Sequence, residues 1–270
     1  IGGPVDDIMF SSIERRVNQA RSQGCDLIVY ELDTYGGQLT SALSISHYTR
    51  ALTKEIPVVA YIHSKAISAG VIIAASCQHI IMARDSSIGD CEPIAIENGV
   101  PHALEDGLRA KISSPILEDL RESATLNHYP FTVLEAMVVR ERELWRIYNN
   151  TDPDALPLIV ENADKDQVLK TRNRLPDGTI GNIWVLDPKP IDDEKNLLTL
   201  NAARAVEFGL ARAQVNSQDE FRALINLRGE LIPMDYSWSE DFVRWLTRTE
   251  VRGGLFVLML VLAYVEFSHP

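Results

Sequence analysis

The sequence is poor in several features that would assign it quickly. It has only three cysteines, Cys25, Cys77 and Cys91. They are too few and too irregularly spaced for a disulfide scaffold or a zinc site, so at most one disulfide is open to it and no metal is expected. Positive charge is in deficit: 26 Lys and Arg against 38 Asp and Glu give a formal net charge of −12. A surplus of that sign repels phosphate backbones and argues against nucleic acid as a partner. No internal repeat or low-complexity tract is visible, and no apolar run reaches the ~18–20 residues that cross a bilayer. The chain opens at Ile1-Gly2-Gly3-Pro4 with neither an initiator Met nor a basic-then-apolar leader, which reads as a chain whose N-terminal piece was removed or left out. What is present is ordinary for a globular protein. Its 270 residues are 46% hydrophobic and 24% charged, enough for one large domain or two small ones.

The hydrophobic pattern alternates between two periods. Phe10, Ile13, Val17 and Ala20 recur at helical spacing from Asp6, and Gly24 ends the pattern. Leu27 to Tyr30 reads as a strand running into the glycine turn Asp33-Thr34-Tyr35-Gly36-Gly37. Ala42, Ile45, Tyr48 and Leu52 share a helical face, and Val58 to Ile62 is the next strand. A turn over His63 to Ile67 then leads into a helix at Val71 to Ala75, and His79 to Ala83 is a further strand. Strand, helix, strand, helix, strand is the signature of parallel βαβ units. Beyond the Ser87-Ile88-Gly89 turn, the pattern predicts a helix over Pro115 to Ala124, with Ser114 as cap and Pro115 in its first position. A longer helix is predicted from Thr132 to about Tyr148. Residues 149–196 carry Pro153, Pro157, Pro176, Pro188 and Pro190, an Asp177-Gly178 turn and the β-like run Ile180 to Leu186, and read as an insertion or small β-rich subdomain. Helical pattern returns over Thr199 to Phe208 and again over Asp219 to Asn226. The expected organisation is a core over 1–148, the insertion over 149–196, a return of the core over 197–230, a linker over 231–254, and the start of a membrane region over 255–270. Leu255 to Val265 has eleven apolar residues in a row after Gly253-Gly254, read as a membrane stretch cut short rather than a buried core helix.

The residue type and position that point to chemistry are those of Ser68. In Lys65-Ala66-Ile67-Ser68-Ala69-Gly70 a serine flanked by small residues stands where a strand enters a helix, and backbone N–H groups at a helix start point outward. The competing reading is a serine that caps the helix. In a parallel sheet adjacent strands end side by side, so Gly36 or Gly37 could present an N–H beside Ser68, joined by that of Ala69; an ordinary turn glycine pair is the alternative. A serine nucleophile needs a base. His47, His63, His79, His102, His128 and His269 stand in no recognisable spacing to Ser68. Among the lysines, Lys54 falls at a polar helix end, Lys65 is three residues before Ser68, and Lys111 comes 43 residues after it, where the chain can return over the site. A lysine base must be neutral near pH 7–8, down from about 10.4 in water, a shift of roughly 3 units or ~4 kcal/mol that burial must supply. Ala110, Ile112, Ser113 and Ser114 give Lys111 a partly apolar setting; a solvated lysine is the alternative.

Four segments, Leu32 to Gly37, Lys65 to Gly70, Ser87 to Asp90 and Leu198 to Leu210, together resemble the NfeD-type membrane-bound serine proteases of the ClpP/crotonase superfamily, in order and spacing as well as in residues. The resemblance implies an α/β fold, a ClpP/crotonase-like spiral of βαβ units with a β-rich insertion and a truncated C-terminal membrane helix. It implies a Ser-Lys dyad with Ser68 as nucleophile and Lys111 as base, N–H donors from Gly36, Gly37 and Ala69, and no cofactor. It further implies a hydrophobic peptide or membrane-protein substrate such as the tail of a stomatin-like (SPFH) partner, homo-oligomerisation, attachment to a membrane through the C-terminal segment, and an extracytoplasmic protease domain. The match is good over about 1–148 and 197–213. Tyr35 stands where the family usually has proline, 149–196 exceeds the minimal core, and the first strand expected just before Ile1 is mostly absent from this chain. Two rivals share the fold: a crotonase-type acyl-CoA enzyme, which would need an acidic base, and a non-catalytic scaffold assembling membrane proteins.

Overall fold

The computed structural model describes residues 1–97, 100–152, 155–175, 178–192, 196–227 and 229–268. Of the residues singled out above, Pro153, Pro176, Asp177, His269 and Pro270 lie outside the described ones. The chain starts with α1 (Asp7–Ser22), whose first turn is closed by the Asp6 carboxylate accepting from Met9 N–H at 2.7 Å. Met9, Ile13 and Val17 form its buried stripe, one residue per turn as an amphipathic helix requires. There follow β1 (Ile28–Thr34), α2 (Leu39–Leu52), β2 (Val58–Ile67), α3 (Ala69–Ser76), β3 (His79–Ala83) and β4 (Ser87–Gly89). β1, β3 and β4 all pair with β2 in parallel. β1 lies along one edge of β2 from Val58 to Ala66. The other edge is shared: β3 takes Val59 to Ile62 and β4 takes Lys65 to Ile67. The sheet therefore forks at His63-Ser64, and these polar residues, expected to form a turn, are the middle of a ten-residue strand. Their polarity reflects the gap between β3 and β4, where no neighbouring strand covers them.

The period-2 alternation of β2 divides the interior. Val58, Ala60, Ile62 and Ala66 face the main core with α1, α2 and α3, whereas Val59 and Tyr61 face a smaller cluster closed by Ile81, Val215 and Phe221. α3 is buried on every side, as its composition of Ala, Gly, Val and Ile demands. After the hairpin β5 (Ile94–Glu97) and β6 (Val100–Ala103) comes α4 (Asp106–Asn127), with Pro115 inside it rather than at its start. Only the part from Ser113 onward has a buried face; residues 105–111 lie on the surface. α5 (Phe131–Ala136) is short, and the long helix expected over Thr132 to Tyr148 is replaced from Leu144 by β7 (Leu144–Asn149). The charged run between them turns the chain through ion pairs, Arg140 to Glu92 and Arg142 to Glu135 and Glu161.

β8 (Leu158–Glu161) pairs with β7. After α6 (Lys165–Lys170) and the two-residue strands β9 (Asn173–Arg174) and β10 (Ile180–Gly181), β11 (Trp184–Leu186) pairs with the other edge of β7 in a three-stranded antiparallel sheet. The chain re-enters the main sheet through β12 (Thr199–Asn201), antiparallel to β4, where a continuous helix was expected. α7 (Ala202–Glu207) follows, and β13 (Ala213–Val215) runs parallel to β3. After α8 (Gln218–Leu224), the stretch read as a linker contains α9 (Trp238–Thr247), and α10 (Thr249–Ser268) follows directly. α10 has 20 residues, none buried, and is long and apolar enough to cross a membrane by length and composition.

Two ionic contacts outside the apolar core hold helices in place. Arg50 on α2 donates to Asp119 on α4 at 2.7 Å, and to Ser46 and Ser123 beside it, with both charged side chains almost fully buried. Arg15 on α1 grips Glu240 on α9 through two hydrogen bonds of 3.0 and 2.9 Å, while Glu240 and Ser237 form a reciprocal cap at the start of α9. Removing one partner of a buried pair leaves the other uncompensated. We expect Arg50→Met to lower stability in chemical denaturation by about 3 kcal/mol. Hydrogen bonding to Arg15 and Ser237 brings the Glu240 carboxyl from 4.5 down to about 2. A carboxylate lowered on folding contributes stability that is complete above its unfolded value and is lost as pH falls through the folded one. Docking of α9 on α1 is therefore expected to weaken between pH 4.5 and 2, seen as lost hydrogen-exchange protection over 241–247 after correction for intrinsic rates, and Glu240→Gln should abolish that pH dependence.

Candidate active site

Ser68 sits at the single residue between β2 and α3, with φ +54° and ψ −117°. A side chain held at positive φ costs on the order of 1–3 kcal/mol and persists only where its surroundings determine it. Here they do. The Ser68 N–H donates to the carbonyls of Asp90 (2.9 Å) and Gly89 (3.2 Å), fixing it to the end of β4, and its own carbonyl accepts from Val71 N–H at 2.9 Å in the buried α3. On the third side stands Gly36, at φ +111°; a Cβ there would lie 2.6 Å from Ser68 Cβ and 3.0 Å from its Oγ. Gly36 is thus glycine for two reasons, its backbone angle and the serine against it. The Ser68 side chain makes no capping hydrogen bond, so the reading of this residue as a simple helix cap is not realised. Its hydroxyl is half-buried and has no partner among the described residues.

The N–H groups around it differ. Gly36 N–H is occupied, donating to Thr34 Oγ1 at 2.9 Å, while the Thr34 hydroxyl donates to Gly3 carbonyl at 2.6 Å. In this structure the Gly36 N–H, expected to be a donor to substrate, is engaged by Thr34, and the glycine leaves room for the serine. Gly37 is flanked by two bonds to the N-terminal segment, Val5 N–H to Gly36 carbonyl and Gln38 N–H to Val5 carbonyl. In an extended chain successive amides face opposite edges, so Gly37 N–H is turned away from Val5 and has no partner among the described residues. The same is true of Ala69 and Gly70, the first two residues of α3, whose N–H groups have no intrahelical acceptor. The first residues of the chain, expected to lack the family's first strand, run beside β1 and bridge Asp33 and Gly37.

The candidate bases are placed less directly. Lys65 donates to Asp33 Oδ1 at 3.1 Å and lies over the Tyr35 ring at 4.4 Å. The hydrogen bond to Asp33 raises its pKa, the wrong direction for a base. Lys54 is exposed at the end of α2. Lys111, expected in a partly apolar setting, is exposed on α4, on the side opposite the stripe Ser113, Ile116, Leu120 and Ser123 that packs inward. Neither a hydrogen bond nor an ion pair joins it to Ser68 in the single chain. Pro115 lies four residues on; having no N–H, it leaves the Lys111 carbonyl without its helical donor and crowds it with its ring. The turn before it is moored by Arg109, which donates to buried Glu92 (3.0 Å) and to Glu141 (2.7 Å). None of these moorings is readable from the sequence. Thr34 and Asp90, equally unassigned to the site, are present within the quoted segments Leu32 to Gly37 and Ser87 to Asp90. The three cysteines are free, and burial raises the thiol pKa of Cys77 and brings that of Cys91 to about 12.

The comparisons agree with this architecture. A profile of the NfeD1b N-terminal domain matches residues 1–167. The membrane protein NfeD1b of Bacillus subtilis is 26% identical over 272 aligned positions, covering 98% of this chain and 49% of that protein. The membrane-bound protease PH1510 of Pyrococcus horikoshii is 33% identical over 97 residues, 35% of this chain and 22% of that protein. The chain thus spans half or less of the curated relatives it matches. Two solved structures of the membrane-bound stomatin-specific protease 1510-N share the fold. One is a lysine-to-alanine mutant in complex with a substrate peptide (TM-score 0.59, 17% identity, 92% of this chain and 94% of that one). The other is a serine-to-alanine mutant (TM-score 0.56, 18% identity, 88% and 91%). With the NfeD1b N-terminal domain matched over residues 1–167, more than half of its length, the chain belongs to the NfeD1b family.

Proposed function

We propose that this chain is a membrane-anchored serine endopeptidase in which Ser68 is the nucleophile and Lys111 the base, acting on hydrophobic peptide segments such as the tail of a stomatin-like partner. The observation that carries the reading is the backbone of Ser68, held at positive φ with an unengaged hydroxyl beside the unpaired N–H groups of Ala69 and Gly37. A structural serine would gain a cap; this one forgoes it. The relatives add support, since the solved ones are named as stomatin-specific proteases, and one serine and one lysine were the residues replaced in them. In this reading α10 is the membrane anchor, supported by its length and apolar composition, and the protease domain lies on the extracytoplasmic side, as the family resemblance implies.

In the proposed reaction, neutral Lys111 removes the proton from Ser68 Oγ as the oxygen attacks a peptide carbonyl. The oxyanion is held by the N–H groups of Ala69 and Gly37 at the positive end of α3. Lys111 then gives its proton to the leaving amine; neutral again, it takes a proton from the water that attacks the acyl-enzyme and returns it to Ser68 Oγ as the acid leaves. For this the first turns of α4 must move. They are exposed, precede Pro115, where the helix lacks one backbone hydrogen bond, and are the part of the chain best placed to be reorganised when copies associate or a peptide binds. Burial in that assembled site would supply the desolvation that makes a lysine a base.

The test is cleavage of a stomatin-like tail peptide by the full chain across pH 6–10. Activity is expected to rise with pH as the lysine base is deprotonated, and both Ser68→Ala and Lys111→Ala, folded as judged by circular dichroism, are expected to lower kcat by roughly 10³-fold or more. Full activity in Lys111→Ala would assign the base elsewhere, and an unchanged peptide with intact chain would favour the scaffold. Pro115→Ala restores the hydrogen bond to the Lys111 carbonyl and stiffens the helix; we expect a higher Tm and a several-fold lower kcat.

A further inference from the structure

α9 is amphipathic in the unusual sense. At 100° per residue Trp238, Phe242 and Trp245 fall in one narrow sector, and they are 81%, 49% and 47% exposed. Its polar side faces the protein. Glu240 is held by Arg15, and Arg244 lies over the Tyr236 ring at 4.2 Å, with Arg16 over the same ring at 4.7 Å. A helix built for a water-facing surface would be docked the other way, with its aromatic residues against α1. Phe242 and Trp245 instead stack on one another, centroids 5.9 Å apart, outside the core.

The chain immediately after α9 identifies the medium that covers this face. Arg248 leaves the helical region (φ −60°, ψ +136°) and breaks the chain into two helices, as needed if one lies along a membrane surface and the next crosses it. α10 then carries the apolar run from Leu255 to Val265, with Arg248 and Arg252 exposed just before it. Long cationic side chains at that position reach phosphate headgroups, and tryptophan concentrates where acyl chains meet headgroups. We propose that α9 lies in the headgroup layer of the bilayer that α10 crosses, with Trp238, Phe242 and Trp245 among the lipids, and that the Arg15–Glu240 grip thereby sets the protease domain directly on the membrane surface. The inference rests on the reading of α10 as a membrane span.

The test uses the full chain in vesicles of phosphatidylcholine and phosphatidylglycerol, with the phosphatidylcholine brominated either near the headgroup or deep in the acyl chain. Trp145→Phe with Trp184→Phe leaves Trp238 and Trp245 as the emitters. Their emission is expected to shift to the blue on reconstitution and to be quenched more by shallow than by deep bromine. In the chain carrying its other tryptophans, Trp238→Phe with Trp245→Phe should remove the shallow-quenched fraction; its persistence would overturn the proposal. Flotation with resistance to alkaline carbonate reports α10 separately. Resistant chain with unquenched emission overturns the placement of α9 and leaves the span standing. Extractable chain with quenched emission refutes the span while supporting α9 as a surface anchor; extractable and unquenched refutes both. Blue-shifted emission that bromine does not quench, and that reverts on dilution in detergent, assigns the face to a second copy and contradicts the proposal.

Discussion

The site depends on one constraint: the backbone of Ser68 has to stay at a positive φ while its hydroxyl stays unengaged. That arrangement is held by parts of the chain far apart in sequence. β2 is long enough to pass the fork in the sheet and deliver Ser68 beyond it. β4, which pairs with the last part of one edge of β2, and the residue after it supply the two carbonyls, of Gly89 and Asp90, that take the Ser68 amide. β1, on the other edge, leads into Gly36, whose missing side chain is the space the serine occupies. α3 is entirely apolar and buried, so its start cannot shift toward solvent to relieve the strain. Each support is an ordinary product of hydrophobic burial and parallel pairing, and together they leave the amides of Gly37, Ala69 and Gly70 and the Ser68 hydroxyl without partners among the described residues.

The proposed base is organised on a different principle. The proposed nucleophile is locked by the core, whereas Lys111 lies on the exposed first turns of α4, before Pro115. The buried Arg50–Asp119 pair holds the latter half of α4 to α2, and the Arg109–Glu92 contact moors the first half.

Much of this is legible in the residues. The stripes of α1 and α2, the apolar runs of β1 and β3, and the position of Ser68 between strand and helix follow from hydrophobic period and small-residue placement alone. The differences between pattern and structure share a cause: polarity in a sequence does not by itself mean a loop or a solvated helix face. His63 and Ser64 are polar because they cross the fork, not because the chain turns. Arg140 to Glu143 are charged because Arg140 and Arg142 pair with Glu92, Glu135 and Glu161 as the chain changes direction, not because they line a solvated helix. Proline fits best at a helix start, yet Pro115 interrupts a helix that starts at Asp106. The donor at Gly36 is lost to Thr34, a side-chain bond that no pattern of residue types announces.

The measurement that bears most directly on the proposed chemistry is covalent labelling of the intact, membrane-reconstituted chain with a fluorophosphonate, with mass-spectrometric mapping of the modified residue. Labelling at Ser68, increasing as pH is raised and absent from Ser68→Ala, is the predicted result. A chain that is fully folded and assembled but takes up no label at Ser68, or takes it up elsewhere, would contradict a serine nucleophile there and leave a shared architecture without the chemistry.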